Sequence, residues 1–223
     1  MMELYFPYGE KEIDYLRKKD KKLSTLIDRV GMIQRRVNPC PFSSLIESVV
    51  AQQISTKAAA TVFSKLVAAC GAGTLPAMCS LEVNQEKTIR VPLTPDALNT
   101  LSVEEIQSCG MSMVKANYIK NIAIAAVNKT VDFSTLPNKS DKEIIETLTA
   151  IKGIGIWTAE MLLIFSLMRP DIVSYGDLII RRSIMQLYGH KELPKERFMR
   201  YVKRYSPYGS VASLYLWALA AIE

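Results

Sequence analysis

The chain has 223 residues, of which 49% are hydrophobic and 22% are charged, a balance that is typical of a globular protein. This composition excludes a disordered chain, and the length exceeds that of a bare peptide module. Basic residues outnumber acidic residues by 28 to 22, and the net charge of +6 permits a polyanionic partner without proving one. Residues 1–22 lack the apolar core of a signal peptide, and the longest apolar stretch, residues 161–168, is too short to span a bilayer.

Cysteine and histidine are too sparse for several kinds of site. The four cysteines, Cys40, Cys70, Cys79 and Cys109, form no CxxC pair, and His190 is the only histidine. The sequence therefore offers few cysteine and histidine residues for a zinc site, an iron–sulfur cluster, or a Cys-His or Ser-His catalytic pair. We predict that all four cysteines are buried structural thiols.

The pattern of apolar residues and helix-stop residues predicts one helix after another, and no segment alternates as a strand does. The predicted helices cover residues 10–22, 23–30, 44–54, 57–70, 102–110, 113–128, 140–151, 157–168, 178–188, 195–204 and 211–222. Ser-x-x-Glu capping boxes mark starts at Ser44, Ser102 and Ser140, and Ser55 and Ser112 are predicted N-caps. Residues 71–100 show no clear period and are a loop with fragments of helix, an insertion or a boundary crossing. The fold class predicted is all-α.

Residues 148–159 place a Gly-x-Gly turn between two helical patterns. Gly153 and Gly155 permit positive φ and a close backbone approach, and Ile154 between them can pack the turn down. Backbone N–H groups at the start of the following helix can bind one anion, such as a DNA phosphate. A plain connection between two helices has the same pattern, so the residues alone leave both interpretations open.

Residues 152–159, KGIGIWTA, resemble the helix-hairpin-helix of the HhH-GPD superfamily of DNA glycosylases. In that superfamily a catalytic aspartate follows after a loop, and Asp177 stands 22 residues after Gly155. Residues 44–59 are most similar to the 3-methyladenine DNA glycosylase II branch. Residues 109–116 and 207–217 resemble the joint before a later helix and the last helix of the family.

The resemblance implies an all-α, two-lobed HhH-GPD glycosylase fold built as a single domain. One lobe is expected to contain residues 1–38 and 178–223, and the other residues 39–177, with residues 71–100 as an insertion or loop. Bifunctional members carry a lysine nucleophile where this chain has Trp157. The resemblance therefore implies a monofunctional hydrolase that removes alkylated purines, such as 3-methyladenine and 7-methylguanine, in base excision repair.

Asp177 is the catalytic residue that the resemblance implies. Cleavage between C1′ and the base gives the sugar oxocarbenium character, and a nearby carboxylate places negative charge where positive charge develops. The sequence leaves open whether Asp177 stabilises this cation or activates water. A plain helix N-cap is the alternative, because Asp177 directly precedes an apolar helical pattern.

The resemblance also implies DNA-contact and base-pocket residues. The DNA-contact set consists of Lys152, Gly153, Ile154, Gly155 and Thr158 at the hairpin, with Gln53 as the wedge that fills the gap in the stack and Ser55 close to it. The expected base pocket consists of Trp157, Tyr208 and Met161. Arg181 and Arg182 either contact phosphates or solvate a helix face, and Trp217 is expected to be a packing residue.

Family members often hold a monovalent cation at the hairpin, so the carbonyls of Thr149, Ile151 and Ile154 are candidates for binding Na⁺ or K⁺. The resemblance implies no organic cofactor, no membrane, and a monomer acting on double-stranded DNA with damaged bases. The expected compartment is the cytoplasm of a prokaryote or the nucleus of a eukaryote. Two alternative functions stay open: a glycosylase for oxidised or mismatched bases, and a non-catalytic DNA-binding protein.

Overall fold

A computed structural model describes residues 4–71 and 93–222 of the chain. Within these ranges the regular elements are twelve α-helices, a 3-10 helix at Leu136–Asn138 and a single β-bridge between Tyr5 and Arg36. The all-α prediction is confirmed. The α-helices are α1 (Glu10–Lys19), α2 (Lys21–Val30), α3 (Pro41–Ala51), α4 (Thr56–Ala69), α5 (Pro95–Thr100), α6 (Val103–Ser108), α7 (Met113–Val127), α8 (Asp141–Thr149), α9 (Ile156–Phe165), α10 (Leu178–Tyr188), α11 (Lys195–Tyr205) and α12 (Gly209–Ala221).

Four of the twelve α-helices start at predicted serine caps. The hydroxyls of Ser55, Ser102, Ser112 and Ser140 each accept a hydrogen bond from a backbone N–H of the first turn that follows. Such a cap satisfies an amide that the helix itself leaves without a partner. The predictions at these four positions are confirmed.

Several predicted helix boundaries differ from the structure by two or three residues, and two of these differences have a clear physical cause. The helix α3 begins at Pro41, three residues before Ser44, because proline at the first helical position needs no N–H partner and has its φ already set. Ser44 is consequently a buried residue inside the helix. The predicted boundary between the helices over 10–22 and 23–30 is two residues too late: α1 ends at Lys19, and the carboxylate of Asp20 accepts hydrogen bonds from the amides of Lys22 and Leu23 and starts α2 at Lys21.

The chain forms two compact units: Asn38–Leu167, and Leu4–Val37 together with the residues from Met168 onwards. Residues 168–177 therefore belong to the second unit, whereas the sequence prediction assigned them to the first. The reason is a set of hydrogen bonds from this segment to the start of α12. The amide of Ile172 donates to the Ser210 hydroxyl at 3.0 Å, and the Ser213 hydroxyl donates to the Ile172 carbonyl at 3.0 Å.

In the first unit, α3 lies against α4, α7 and α9, while α5 and α6 pack on α7, and α8 packs on α9. The apolar side chains of Leu45, Ile46, Ile119, Ile122 and Leu162 are fully buried in this unit. Each such side chain stabilises the fold by about 1.5–3 kcal/mol relative to an exposed one. The two helices on either side of the Gly-x-Gly turn are thus anchored in a packed core.

In the second unit, α12 packs against α2 and α10, and α1 packs against α2 and α11. Phe198, Tyr205 and Tyr215 are its largest fully buried side chains, and the Tyr215 hydroxyl donates to the carbonyl of Gly31 at 3.1 Å. The buried Asp20 forms an ion pair of 2.7 Å with Arg204. This core fixes the start of α10, where Asp177 lies.

The predicted burial of the cysteines is only partly correct. Cys40 and Cys109 are buried, Cys70 is half-buried, and Cys79 lies outside the described residues. Among the cysteines that the structure describes, no disulfide is formed. Burial raises the pKa of the Cys70 thiol to about 11, so this thiol is protonated at neutral pH. In residues 4–71 and 93–222 no helix has both the length and the apolar character needed to cross a bilayer.

Candidate catalytic and DNA-contact sites

The Gly-x-Gly turn joins α8 to α9 in the first unit. Gly153 has φ of +102°, a conformation that residues with a side chain rarely adopt. A Cβ added at Gly153 would also overlap the ring of Tyr118 on α7. Ile154 is buried as predicted, and its amide donates to the carbonyl of Ile151 at 3.1 Å. Glycine is therefore required at position 153 both by its φ and by the packing of Tyr118.

Gly155 does not use the positive φ that a glycine permits. Its φ of −93° and ψ of 171° are open to any residue, and a Cβ there would meet no atom within 4 Å. Gly155 is the N-cap of α9, and because it has no side chain, it forms no side-chain cap. Lys152 and Ile156 beside it are exposed. The turn thus presents a helix N-terminus whose amides can bind an anion, with a lysine close by.

Thr158 faces the interior of the protein. Its side chain is 2% exposed, and its Oγ1 accepts a hydrogen bond from Nε2 of Gln52 at 3.1 Å. Gln52 directly follows α3. The hydrogen bond therefore links the first turn of α9 to the connection between α3 and α4, which contains Gln53 and Ser55. The predicted DNA-contact residues of the two segments are held together through this bond.

Gln53, the predicted wedge, lies in this connection with its side chain exposed. Its φ is +58°, in the left-handed region that is unfavourable for a residue other than glycine. The neighbouring Ile54 is 41% exposed. Ser55 is exposed and caps α4. Strained backbone of this kind is found at functional sites, where the surrounding structure maintains it.

Lys115 is a residue of this region that the sequence did not single out for a role. Its ammonium group donates hydrogen bonds to the carbonyl of Val50, at 2.9 Å, and to the carbonyl of Gln52. Burial lowers the pKa of Lys115 from its ordinary value. No local signal indicates such a role, because the bonds join residues more than sixty positions apart.

The two base-pocket candidates of the first unit differ in exposure. Trp157 on α9 is half-buried. Met161, one turn further along α9, is 4% exposed and lies among the buried residues of that helix. Trp157 is thus the more exposed of the two residues, and Met161 is covered by protein.

Asp177 lies in the second unit and is 6% exposed. Its Oδ1 accepts a hydrogen bond from the amide of Ile180 at 2.9 Å, so Asp177 is the N-cap of α10. Its Oδ2 accepts a hydrogen bond from Nε1 of Trp217 at 3.2 Å. Both donors are N–H groups, which suit an ionised carboxylate, and the N-terminal end of the α10 dipole favours negative charge there.

Trp217 was predicted as a packing residue, but the structure gives it a polar contact as well. Its ring is half-buried on α12, and its indole N–H orients the carboxylate of Asp177. The two residues are forty positions apart, so no local motif connects them. Trp217 is the second site residue that sequence reasoning missed.

Tyr208, a base-pocket candidate, precedes α12 in the second unit. Its ring packs edge-to-face on Tyr15, with ring centroids 5.2 Å apart. The Tyr15 hydroxyl donates to the carbonyl of Ser206 at 2.7 Å and thereby fixes the supporting ring. Tyr208 is half-buried, and the contact with Tyr15 supports the orientation of its ring.

The two arginines after Asp177 have different surroundings. The guanidinium of Arg181 lies 5.2 Å from the ring centroid of Tyr175, a cation–π contact. Arg182 is exposed. Of the two, Arg182 is thus the one whose side chain extends into solvent. Within the described residues no three His, Cys, Asp or Glu side chains converge in a way that would hold a metal ion.

The helical fold, the Gly-x-Gly hairpin and a buried aspartate at a helix N-terminus are the features of a helix-hairpin-helix DNA repair protein. Residues 46–207 match the family model described as HhH-GPD superfamily base excision DNA repair protein, and this match spans more than half of the chain. The chain belongs to the HhH-GPD superfamily. The family and the fold predicted from the hairpin are confirmed.

Several proteins to which this chain is similar are named as 3-methyladenine DNA glycosylases. The chain is 34% identical to DNA-3-methyladenine glycosylase 1 of Schizosaccharomyces pombe over 182 residues, which cover 79% of this chain and 71% of the relative. The crystal structure of DNA-3-methyladenine glycosidase from Bacillus halodurans is similar with a TM-score of 0.73 and 33% identity, covering 99% of this chain and 93% of that chain. The Schizosaccharomyces pombe 3-methyladenine DNA glycosylase in complex with abasic DNA has a TM-score of 0.75 and 29% identity, covering 93% and 95%.

Proposed function

We propose that this protein is a monofunctional DNA glycosylase that hydrolyses the N-glycosidic bond of alkylated purines in base excision repair. The observation that carries the proposal is the carboxylate of Asp177, buried at the start of α10 and oriented by N–H donors on both oxygens. A carboxylate held in this way needs little reorganisation when positive charge develops on the sugar. The names of the relatives support the substrate class.

In the proposed reaction the bond between C1′ and the purine nitrogen breaks, and its electron pair leaves with the base. The oxygen of a water molecule then forms the new bond to C1′, and the water proton passes to solvent or to the released base. Because N–H donors to both oxygens hold the Asp177 carboxylate in a fixed orientation, we assign it the role of a preorganised negative charge that stabilises the sugar cation.

Alkylated purines suit the residues available in this chain. Purines methylated at N3 or N7 are cationic, so they stack well on aromatic faces and leave without much protonation. Of the residues expected to contact the base, Trp157 in the first unit and Tyr208 in the second are half-buried aromatic residues, whereas Met161 is buried. His190 is an unsuitable acid because its Nε2 is hydrogen-bonded to the Tyr201 hydroxyl at 2.7 Å. Trp157 replaces the lysine that lyase members use, so water is the nucleophile.

We further infer that the DNA backbone is bound at the hairpin. The amides at the N-terminus of α9, with Gly155 as its N-cap, face a phosphate, and the exposed Lys152 adds positive charge. Gln53 fills the gap that the flipped nucleotide leaves, at a cost of a few kcal/mol for unstacking. Ser55 and the linked Thr158 support this contact from the same unit.

We propose that a monovalent cation binds beside the proposed phosphate site. Thr149 is the last residue of α8, so its carbonyl lies beyond the hydrogen-bond ladder of the helix, and the Ile151 carbonyl has a second lone pair besides the one facing Ile154. Together with the Ile154 carbonyl, these oxygens would hold Na⁺ or K⁺, whose charge attracts a phosphate.

We propose no organic cofactor. The proposed partner is double-stranded DNA with damaged bases, bound by a monomer in the cytoplasm of a prokaryote or the nucleus of a eukaryote.

The proposal is tested by single-turnover base release from methylated DNA and from duplexes with hypoxanthine, ethenoadenine or 8-oxoguanine. We expect release of 3-methyladenine or 7-methylguanine, and a loss of at least 10²–10³ in rate for Asp177→Asn, roughly the effect of removing one preorganised electrostatic group. Asp171→Asn is the matched control, because Asp171 is an aspartate of the same segment that accepts a hydrogen bond from the amide of Gly209 instead.

Three outcomes would contradict the proposal. If the excision rate of Asp177→Asn stayed within about tenfold of the unmodified protein, a difference of about 1.4 kcal/mol, Asp177 would have no essential part in the reaction. Release of 8-oxoguanine alone would assign the protein to oxidised bases. Tight binding of damaged duplex with no release of any base would indicate the non-catalytic alternative.

A further inference from the structure

The connection between α3 and α4 has an unfavourable conformation that something must maintain. Gln53 has φ of +58°, yet its side chain is exposed and makes up part of the protein surface. A left-handed residue with a side chain relaxes toward ordinary backbone geometry unless its neighbours are fixed. The residues that fix Gln52 and Val50 therefore decide where Gln53 points.

The ammonium group of Lys115 provides one of these restraints. The last carbonyls of a helix have no partner inside the helix, and a lysine can satisfy them and interact favourably with the helix dipole. Lys115 donates to the carbonyl of Val50 in the last turn of α3, at 2.9 Å, and to the carbonyl of Gln52 at its C-cap. Because Lys115 is on α7, these bonds tie the end of α3 to a separate, well-packed helix.

The side chain of Gln52 provides the other restraint. Its Nε2 donates to Oγ1 of the buried Thr158 at 3.1 Å. Gln52, the residue before Gln53, is thus held at two points. Its backbone carbonyl accepts a hydrogen bond from Lys115, and its side-chain amide donates one to Thr158. With both restraints in place, the peptide unit leading into Gln53 has little freedom to rotate.

We propose that Lys115 is the positioning residue for the DNA wedge. Its charge-assisted hydrogen bonds hold the α3–α4 connection in the conformation that directs Gln53 outward. The connection is therefore already ordered when Gln53 enters the gap in the base stack, and little conformational entropy is lost at that step. This inference rests on the proposed function, since it requires that Gln53 enters DNA. Lys115 itself contacts neither the base nor the phosphate.

Lys120 supplies a matched control on the same helix. Its ammonium group donates to the carbonyls of Asn99, at 2.6 Å, and Leu101, at 2.8 Å, and so caps α5 in the way that Lys115 caps α3. Lys115→Met and Lys120→Met each remove one ammonium group with two carbonyl partners. We expect similar drops in melting temperature for both, but only Lys115→Met should slow single-turnover excision, by about tenfold, within the range of coupling between neighbouring residues.

A double-mutant cycle separates positioning from general stability. In a Gln53→Ala background, Lys115→Met should change excision by less than about twofold, because the side chain that it positions is gone. The fluorescence of 2-aminopurine next to the lesion, which reports unstacking, should follow the same pattern. Lys115→Arg, whose guanidinium still donates to both carbonyls, should restore most of the rate. If Lys115→Met does not fold, Lys115→Gln, which keeps an N–H donor, replaces it in the cycle.

Two results overturn the inference, and they differ from those that overturn the proposed function. Equal losses of excision in Lys115→Met and Lys120→Met, or an unchanged effect of Lys115→Met in the Gln53→Ala background, would reduce Lys115 to a structural cap. Both require an active unmodified protein. If the unmodified protein releases no base at all, the proposed function fails first.

Discussion

The indole N–H of Trp217 donates a hydrogen bond of 3.2 Å to Oδ2 of Asp177, while the amide of Ile180 donates to Oδ1 of the same carboxylate. The carboxylate plane is thus determined by two donors, one from its own helix α10 and one from α12. The first donor is local and makes Asp177 an N-cap. The second joins distant parts of the chain, and it distinguishes this aspartate from an ordinary cap.

Trp217→Phe removes this second donor and keeps an aromatic ring in its place. A hydrogen bond to a charged group contributes about 1.5–3 kcal/mol, so we expect excision to slow by roughly tenfold to a hundredfold. Single-turnover kinetics on methylated DNA measure the change. Tyr215→Phe is the control, because it removes one hydrogen bond from the same helix, to the carbonyl of Gly31. Equal losses in both variants would mean that Trp217 only supports the fold.

The capping role and the chemical role of Asp177 can be separated by two substitutions. Serine is as good an N-cap as aspartate, whereas alanine cannot cap. We therefore expect the free energy of unfolding, measured by urea titration, to be about 1 kcal/mol higher for Asp177→Ser than for Asp177→Ala. Both variants lack the negative charge, so both should lose excision to the same extent. If Asp177→Ser instead kept nearly the excision rate of the unmodified protein while Asp177→Ala lost it, activity would follow stability. Asp177 would then act only as a cap.

The identity of residue 157 predicts the type of product. Trp157 cannot form a Schiff base with the opened sugar, so the product should be an intact strand with an abasic site. Treatment with borohydride during the reaction should trap no covalent protein–DNA complex. The control is a lyase-type glycosylase on its own substrate under the same conditions. A trapped complex would identify another lysine as the nucleophile and rule out the monofunctional mechanism.

The two glycines of the hairpin should respond differently to alanine. Gly153→Ala combines a positive φ with overlap on the ring of Tyr118, so we expect it to destabilise the protein by about 1–3 kcal/mol or more. Gly155→Ala places its Cβ in open space, and because the poorer N-cap is offset by the lower entropy of the unfolded chain, we expect the free energy of unfolding to stay nearly unchanged. Thermal and urea unfolding of both variants measure these effects.

Gly155→Ala then becomes a specific probe of the phosphate site. If a phosphate approaches the N-terminus of α9, the new methyl group weakens binding equally on damaged and undamaged duplexes, because phosphate contacts carry no sequence information. The unmodified protein should also lose affinity steeply with increasing salt. A salt titration of both proteins on both duplexes is the measurement. Unchanged affinity in Gly155→Ala would mean that the hairpin is a connection between helices and not a DNA anchor.

The sequence by itself determined the helical fold class, most helix starts and the family. These features depend on interactions within a few residues: a serine hydroxyl bonds to an amide three residues later, as at Ser102 and Ser140, and apolar residues repeat with the helical period. The hairpin and the spacing to Asp177 are equally local. Ser44 shows the limit, since a capping signal of the right composition was overridden by Pro41 three residues earlier.

The tertiary structure alone decided which residues hold the site in place. The need for glycine at position 153 comes from Tyr118, the orientation of Asp177 from Trp217, and the restraint on Gln52 from Lys115 and Thr158. The partners in these contacts are far apart in the chain. A contact of this kind leaves no periodic or motif signal in a single sequence, because it arises only when packed helices bring separate segments within hydrogen-bonding distance.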